Sequence, residues 1–219
     1  MTLDLELARR NMVLQQVRPW EVFDQRVLDL IARAPREDYV PAGMRNLAYA
    51  DMNIPLGGGQ VMMAPKYEAR LLQELEIKPT DKILEIGTGT GYLTSLLASL
   101  GKHVYSVDIN PEFTRAAGAR LAAHGIFNVT LETGDGANGW DRHAPYDVIM
   151  ITGSLPSIPQ AFRNQLAPQG RLAAIVGDAP VMEAIIVRRL DAENFRETAV
   201  FETDLPRLAN VRDMPKFVF

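Results

Sequence analysis

Apolar positions along this chain keep two rhythms. Through about residue 77 they recur at three- and four-residue spacings, which predicts helices over residues 3–16, 24–33 and 67–76, with Asp24 as N-cap of the second and Pro65 just ahead of the third. Between the last two lies Ala50-Asp51-Met52-Asn53-Ile54-Pro55-Leu56-Gly57-Gly58-Gly59-Gln60, read as an irregular, glycine-heavy loop. From Lys82 onward short apolar runs alternate with helical patterns: strands over 83–86, 103–107, 129–132, 147–151 and 171–176, and helices over 92–100, 111–124 and 159–166. Such alternation implies a parallel sheet covered by helices on both faces. Past Pro180, runs over 181–190 and 195–203 flank the polar Asp191-Ala192-Glu193-Asn194 and read as an antiparallel hairpin at the sheet edge, with a helix over 181–190 as the alternative. The expected fold is α/β, a doubly wound, mostly parallel, seven-stranded Rossmann-like sheet with an N-terminal helical cap and a C-terminal antiparallel hairpin. One domain over 1–219 is expected, with a cap and substrate-side loop over 1–78 and a ligand-binding α/β core over 79–219.

Composition narrows the picture mainly by exclusion. The 219 residues, 47% hydrophobic and 23% charged, suit one sizeable core. No apolar run approaches the roughly 20 residues of a membrane span, and the opening Met-Thr-Leu-Asp-Leu-Glu-Leu-Ala-Arg-Arg-Asn lacks the apolar centre of a signal peptide, so no membrane partner and a cytoplasmic location are expected. Without cysteine there are no disulfides, thiol nucleophiles or thiolate metal sites, and three scattered histidines (His103, His124, His143) argue against a metal cluster. A net charge of −4 leaves no general basic field for phosphates, which argues against nucleic acid.

Candidate chemistry concentrates at one turn. Leu84-Glu85-Ile86-Gly87-Thr88-Gly89-Thr90-Gly91-Tyr92 places a glycine-rich turn between the first core strand and a helix, where small residues let a ligand approach the backbone and the helix N-terminus. The glycines follow G-x-G-x-G, with Tyr92 where the dinucleotide fingerprint needs its third glycine, which disfavours NAD(P); no Gly-Lys-Ser/Thr follows, which excludes a phosphate-binding P-loop. About twenty residues on, at the end of the next strand, Asp108 with Ile109 stands where a carboxylate accepts both hydrogen bonds of a ribose diol. Gly134-Asp135-Gly136 ends the third strand at the same edge, and Asp135 there suits an adenine amino group. Each feature alone has a structural explanation, Asp108 as a helix cap and 134–136 as a plain turn. Their joint order points to S-adenosyl-L-methionine, with Glu85, Gly87, Thr88, Gly89, Thr90, Gly91, Tyr92, Asp108, Ile109, Asp135 and Gly136 as candidate cofactor residues.

At this point the chain resembles the protein-L-isoaspartate O-methyltransferase family over nearly its whole length. The matching segments are Pro35-Arg36-Glu37-Asp38-Tyr39-Val40-Pro41, Ala48-Tyr49-Ala50-Asp51, Pro55-Leu56-Gly57-Gly58-Gly59-Gln60, the glycine-rich turn, and Gly134-Asp135-Gly136 with Gly139-Trp140 and Ala144-Pro145-Tyr146-Asp147. The resemblance implies methyl transfer to the abnormal α-carboxylate of an isoaspartyl residue in a damaged protein or peptide, whose ester then collapses to a succinimide. In that family the Gly-Gln pair is followed by Thr-Ile-Ser, the serine lying between cofactor and acceptor; here Val61-Met62-Met63 follow, and Lys66 stands where an aromatic or histidine is usual. The C-terminal segment from Thr203 to Leu208 and the tail to Phe219 also depart from the family's closing strand.

Methyl transfer to a carboxylate needs positioning rather than a base, because a carboxylate with pKa near ~4 is already ionised at neutral pH. Asp51, Ile54, Gln60, Val61, Met62, Met63 and Lys66 are the candidate substrate-side residues, and no catalytic residue is assigned. Lys66 either holds a substrate carboxylate or is a surface lysine; Met62 and Met63 either line an acceptor pocket or fill core; Trp20 and Trp140 read as packing aromatics and His143 as a solvated surface histidine. Three readings stay open: an isoaspartyl repair enzyme, a paralogous methyltransferase with another acceptor (a small apolar molecule or a different carboxylate), and a cofactor-binding protein without turnover. The assembly is expected to be a monomer or homodimer.

Overall fold

The computed structural model describes residues 4–211. Helix α1 (Leu5–Met12) begins where the Asp4 carboxylate accepts the Leu7 N–H at 3.0 Å. The regular helix expected to 16 instead widens into a π-helical turn, Val13–Val17, followed by a 3-10 turn, Arg18–Trp20. Pro19 has no N–H to donate, and the Arg18 N–H reaches back five residues to the Val13 carbonyl. Helix α2 (Gln25–Arg33) is capped by Asp24 as expected, through a 2.8 Å bond from the Arg26 N–H. The stretch read as irregular contains a hairpin, β1 (Ile54–Gly57) with β2 (Gln60–Met62), whose reversal places Gly57, Gly58 and Gly59 at φ of 92°, 59° and 78°. The glycine run is thus a built turn, using backbone angles that other residues adopt at a cost. Helix α3 (Pro65–Leu75) starts two residues earlier than its apolar period suggests, because the fixed φ of Pro65 suits a first helical turn.

The α/β part follows the expected order: β3 (Lys82–Ile86), α4 (Tyr92–Leu100), β4 (His103–Asp108), α5 (Pro111–Ala123), β5 (Val129–Thr133), β6 (Tyr146–Leu155), α6 (Gln160–Gln165), β7 (Leu166–Asp178), β8 (Val181–Arg189) and β9 (Phe195–Thr203). One seven-stranded sheet runs β5-β4-β3-β6-β7-β8-β9. The β8–β9 hairpin is antiparallel, as expected, and the helix alternative for 181–190 is wrong; β8 also pairs antiparallel with β7, so it alone runs against the sheet. The doubly wound, mostly parallel α/β class is borne out.

Strand periodicity sorts side chains into two cores. Ile83, Val148, Met150, Ala173 and Ile175 face a cluster shared with the cap residues Met12, Val17, Ile31, Leu72 and Leu75, while Leu84, Ile86, Ile149, Ile151, Leu172 and Ala174 face a second cluster around Phe162 and Tyr146. The first cluster runs without interruption from the N-terminal helices into the sheet, so the cap is seated by the burial of apolar surface. The order reverses beside β3, whose neighbours β4 and β6 leave to opposite sides; a crevice for ligands opens there, at the carboxyl ends of the strands. Among the described residues no helix is long and apolar enough to cross a membrane.

Candidate active site

The glycine-rich turn is shaped by three left-handed glycines, Gly87, Gly89 and Gly91, at φ of 97°, 51° and 85°. A Cβ on Gly87 would lie 2.1 Å from the Thr152 hydroxyl, which itself donates to the carbonyls of Ile86 and Gly87, and one on Gly91 would lie 2.9 Å from the Ala117 Cβ of α5. The turn is therefore pinned from β6 and α5 while its open side faces the crevice. Asp108, at the end of β4, braces it further: one carboxylate oxygen accepts the Gly89 N–H at 2.8 Å and the other the Asn110 N–H at 2.9 Å. Carboxylate oxygens have two lone pairs each, so Asp108 retains capacity for a ribose diol.

These parts surround a cavity of about 490 Å³. Of the cofactor candidates, Gly87, Thr88, Gly89, Thr90, Asp108, Ile109, Asp135 and Gly136 line it. Gly91 and Tyr92 do not; they begin α4 behind the turn, where the Tyr92 ring packs under the Arg36 guanidinium at 4.7 Å. Glu85 does not line it either. It is wholly buried beneath the turn, where one oxygen accepts from Thr94 and Ser106, the other has no partner, and burial pushes its carboxyl up to about 8. Ser106 in turn shares a 2.6 Å hydrogen bond with Thr88, so Glu85 supports the turn from below.

On the substrate side Gln60, Val61, Met62 and Met63 line the cavity, and the Thr90 hydroxyl lies 3.7 Å from the Met62 sulfur. Ile54 is buried core. Asp51 and Lys66 are brought together at 2.8 Å, with the Lys66 ammonium 4.5 Å from the Trp20 ring, and neither lines the cavity. Lys66 is thus neither a solvated lysine nor a lone cation awaiting a carboxylate. His143 lies outside the cavity, stacked on Tyr105 at 4.0 Å and 3.1 Å from the Glu132 carboxylate, so it is a packed residue rather than a merely solvated one. Trp20 packs edge-on against Tyr67 and Phe201, and the Trp140 indole donates to Glu132 at 2.6 Å.

Two buried residues are not among the candidate site residues, although Arg36 lies in the matching 35–41 segment. Arg36 is fully buried and distributes its guanidinium over the Ala48 carbonyl, the Met63 carbonyl and the Glu68 carboxylate, tying the cap to the Gln60–Met63 cavity wall. Glu68 is almost fully buried and lines the cavity, and burial pushes its carboxyl up to about 7 against the pull of Arg36. Its signal was present: Glu68 interrupts the apolar face of α3 made by Ala69, Leu71, Leu72 and Leu75. Beyond β9, Leu208 and Ala209 close another wall, with Leu208 packed on Gly153 and the Asn210 amide donating to Asp135 at 3.0 Å. The segment after Thr203, which departs from the family's closing strand, reaches this wall, while 212–219 lie outside the described residues. The cavity lining holds four carboxylates, Glu68, Asp108, Glu112 and Asp135, and among the described residues no lysine, arginine or histidine.

Comparison with known proteins decides what such a site belongs to. Residues 8–203 match the model of the Protein-L-isoaspartate(D-aspartate) O-methyltransferase family. A Pelobacter propionicus protein-L-isoaspartate O-methyltransferase 2 is 38% identical over 192 residues, covering 87% of this chain and 85% of its own. One from Protochlamydia amoebophila is 39% identical over 186 residues, covering 84% and 89%. The chain belongs to this family. Membership makes it an S-adenosylmethionine-dependent methyltransferase, as the glycine turn and its acidic partners lead one to expect. The fold of protein-L-isoaspartate O-methyltransferases is also recovered from solved structures. One such enzyme has a TM-score of 0.79 at 22% identity, over 92% of this chain and 66% of its own; a Plasmodium falciparum one, solved with S-adenosyl-L-homocysteine, has a TM-score of 0.79 at 16% identity over 91% and 97%.

Proposed function

We propose that this chain transfers a methyl group from S-adenosylmethionine to the α-carboxylate of isoaspartyl residues in damaged proteins or peptides. The observation that carries the reading is the family match across residues 8–203, which includes both the glycine turn and the Gln60–Met63 wall of one cavity. Neither a different small-molecule acceptor nor a cofactor-binding protein without turnover is favoured by the relatives.

The cavity fits the donor: it has the room, a stretch of turn backbone at Gly87 and Gly89 without side chains, and only acidic charge among its described lining residues. When bound, S-adenosylmethionine supplies an activated methyl on a sulfonium centre. In this reading Asp108 would hold the ribose diol, Asp135 with Gly136 the adenine, and the Gly87–Thr90 backbone would approach the donor closely; the support is that all of them line one cavity. An acceptor carboxylate is already ionised at neutral pH and would ask no base of the lining residues. No proton moves, which suits a cavity without histidine. Val61, Met62 and Met63 give the acceptor end shape but no side-chain hydrogen-bond donor, so rate enhancement rests on alignment of acceptor and methyl. The test is transfer of labelled methyl to an isoaspartyl peptide beside its aspartyl counterpart. A base-labile ester on the first and not the second is expected; donor binding with no transfer to either overturns the reading.

A further inference from the structure

Three of the four carboxylates lining the cavity belong to its nucleoside side: Asp108 at the end of β4, Glu112 at the start of α5, and Asp135 after β5. Glu68 alone comes from the cap, on α3, beside the acceptor loop. It is 2% exposed, and one of its oxygens is held by Arg36, whose other two hydrogen bonds go to the Ala48 and Met63 carbonyls. A carboxylate offers about four acceptor sites, so the Arg36 bond does not exhaust it. Glu85, the acid beneath the glycine turn, is sealed away with its bonded oxygen turned to Thr94 and Ser106.

The donor carries an ammonium at its amino-acid end, and a buried ammonium needs an acceptor of opposite charge. We propose that Glu68 is the carboxylate that receives the ammonium group at the amino-acid end of the methyl donor. This rests on the S-adenosylmethionine reading above. Arg36 then acts as a positioning residue: it orients Glu68 and, through the Met63 carbonyl, keeps the acceptor loop against the same end of the cavity.

The experiment is a calorimetric titration of the full chain with S-adenosylmethionine, S-adenosylhomocysteine and methylthioadenosine, which keeps the nucleoside and lacks the amino-acid end. For Glu68→Gln, affinity for the first two should fall about 10- to 100-fold, the range for losing a hydrogen bond to a charged group, while methylthioadenosine binds within about 2-fold of wild type. Equal loss for all three ligands would mean Glu68 only shapes the cavity, and no loss for any would mean it does not meet the ammonium; either overturns the proposal. If Glu68→Gln does not fold, the paired variant Arg36→Met with Glu68→Leu removes the carboxylate without stranding the guanidinium, and the same selective loss is required of it. Wild type that binds neither S-adenosyl ligand would defeat the functional reading itself, whereas a failed selectivity with intact wild-type binding defeats only the assignment of Glu68.

Discussion

Replacing Arg36 by methionine tests whether the buried cap pair holds the site together. The substitution keeps much of the apolar volume but removes the partner of Glu68, leaves the Ala48 and Met63 carbonyls without their donor, and takes the guanidinium off the Tyr92 ring. Breaking a buried ion pair by deleting one partner costs about 3–5 kcal/mol, chiefly because the other charge is stranded. Each kcal/mol lowers the melting temperature of a domain of 150–250 residues by about 2–4 °C, so a fall of about 10 °C is expected. Adding Glu68→Leu should recover much of that fall, because the stranded carboxylate is gone and only the two carbonyls remain unsatisfied. The assay is calorimetric or circular-dichroism melting of wild type, the single variant and the pair. A fall of less than about 3 °C, or a pair no more stable than Arg36→Met alone, would refute the view that the ion pair supports the cap.

Two further outcomes follow from the geometry. Asp108→Ala removes the expected diol acceptor and frees the Gly89 and Asn110 N–H groups, so S-adenosylhomocysteine affinity should fall about 100-fold by titration; unchanged affinity would remove Asp108 from the site. Burial raises the Glu85 carboxyl to about 8 when folded, above its unfolded value near 4.5, so the folded chain keeps a proton that the unfolded chain has lost. The stability tied to that proton is complete below pH ~4.5 and is lost as pH rises toward 8, over a range on the order of several kcal/mol. Glu85→Gln should therefore flatten the melting temperature between pH 5 and 8, with Glu68 leaving a smaller slope of the same sign, and parallel pH curves for variant and wild type would contradict this.

Much of this site was legible in local sequence because it is built from local rules. A βα turn of glycines, an acid at the end of the next strand and an acidic turn after the third all sit at the carboxyl edge once the strands are parallel, and Gly87, Asp108 and Asp135 indeed share one cavity. Element ends were less legible where hydrogen bonding overrode periodicity, as at Pro19 and in the Gly57–Gly59 reversal.

The sequence alone determined the sheet, its crevice and the glycine-and-acid rim of the cavity, because hydrophobic period and glycine backbone freedom act over a few residues. Tertiary structure decided what the charges do. Lys66 and Asp51, 15 residues apart, neutralise each other outside the cavity, and Glu85, expected at the ligand, is sealed beneath the turn. Arg36 and Glu68, 32 residues apart, meet in the interior beside the acceptor loop. Whether a carboxylate faces ligand, arginine or core depends on which elements close over it, and that packing across distant segments has no period in the chain.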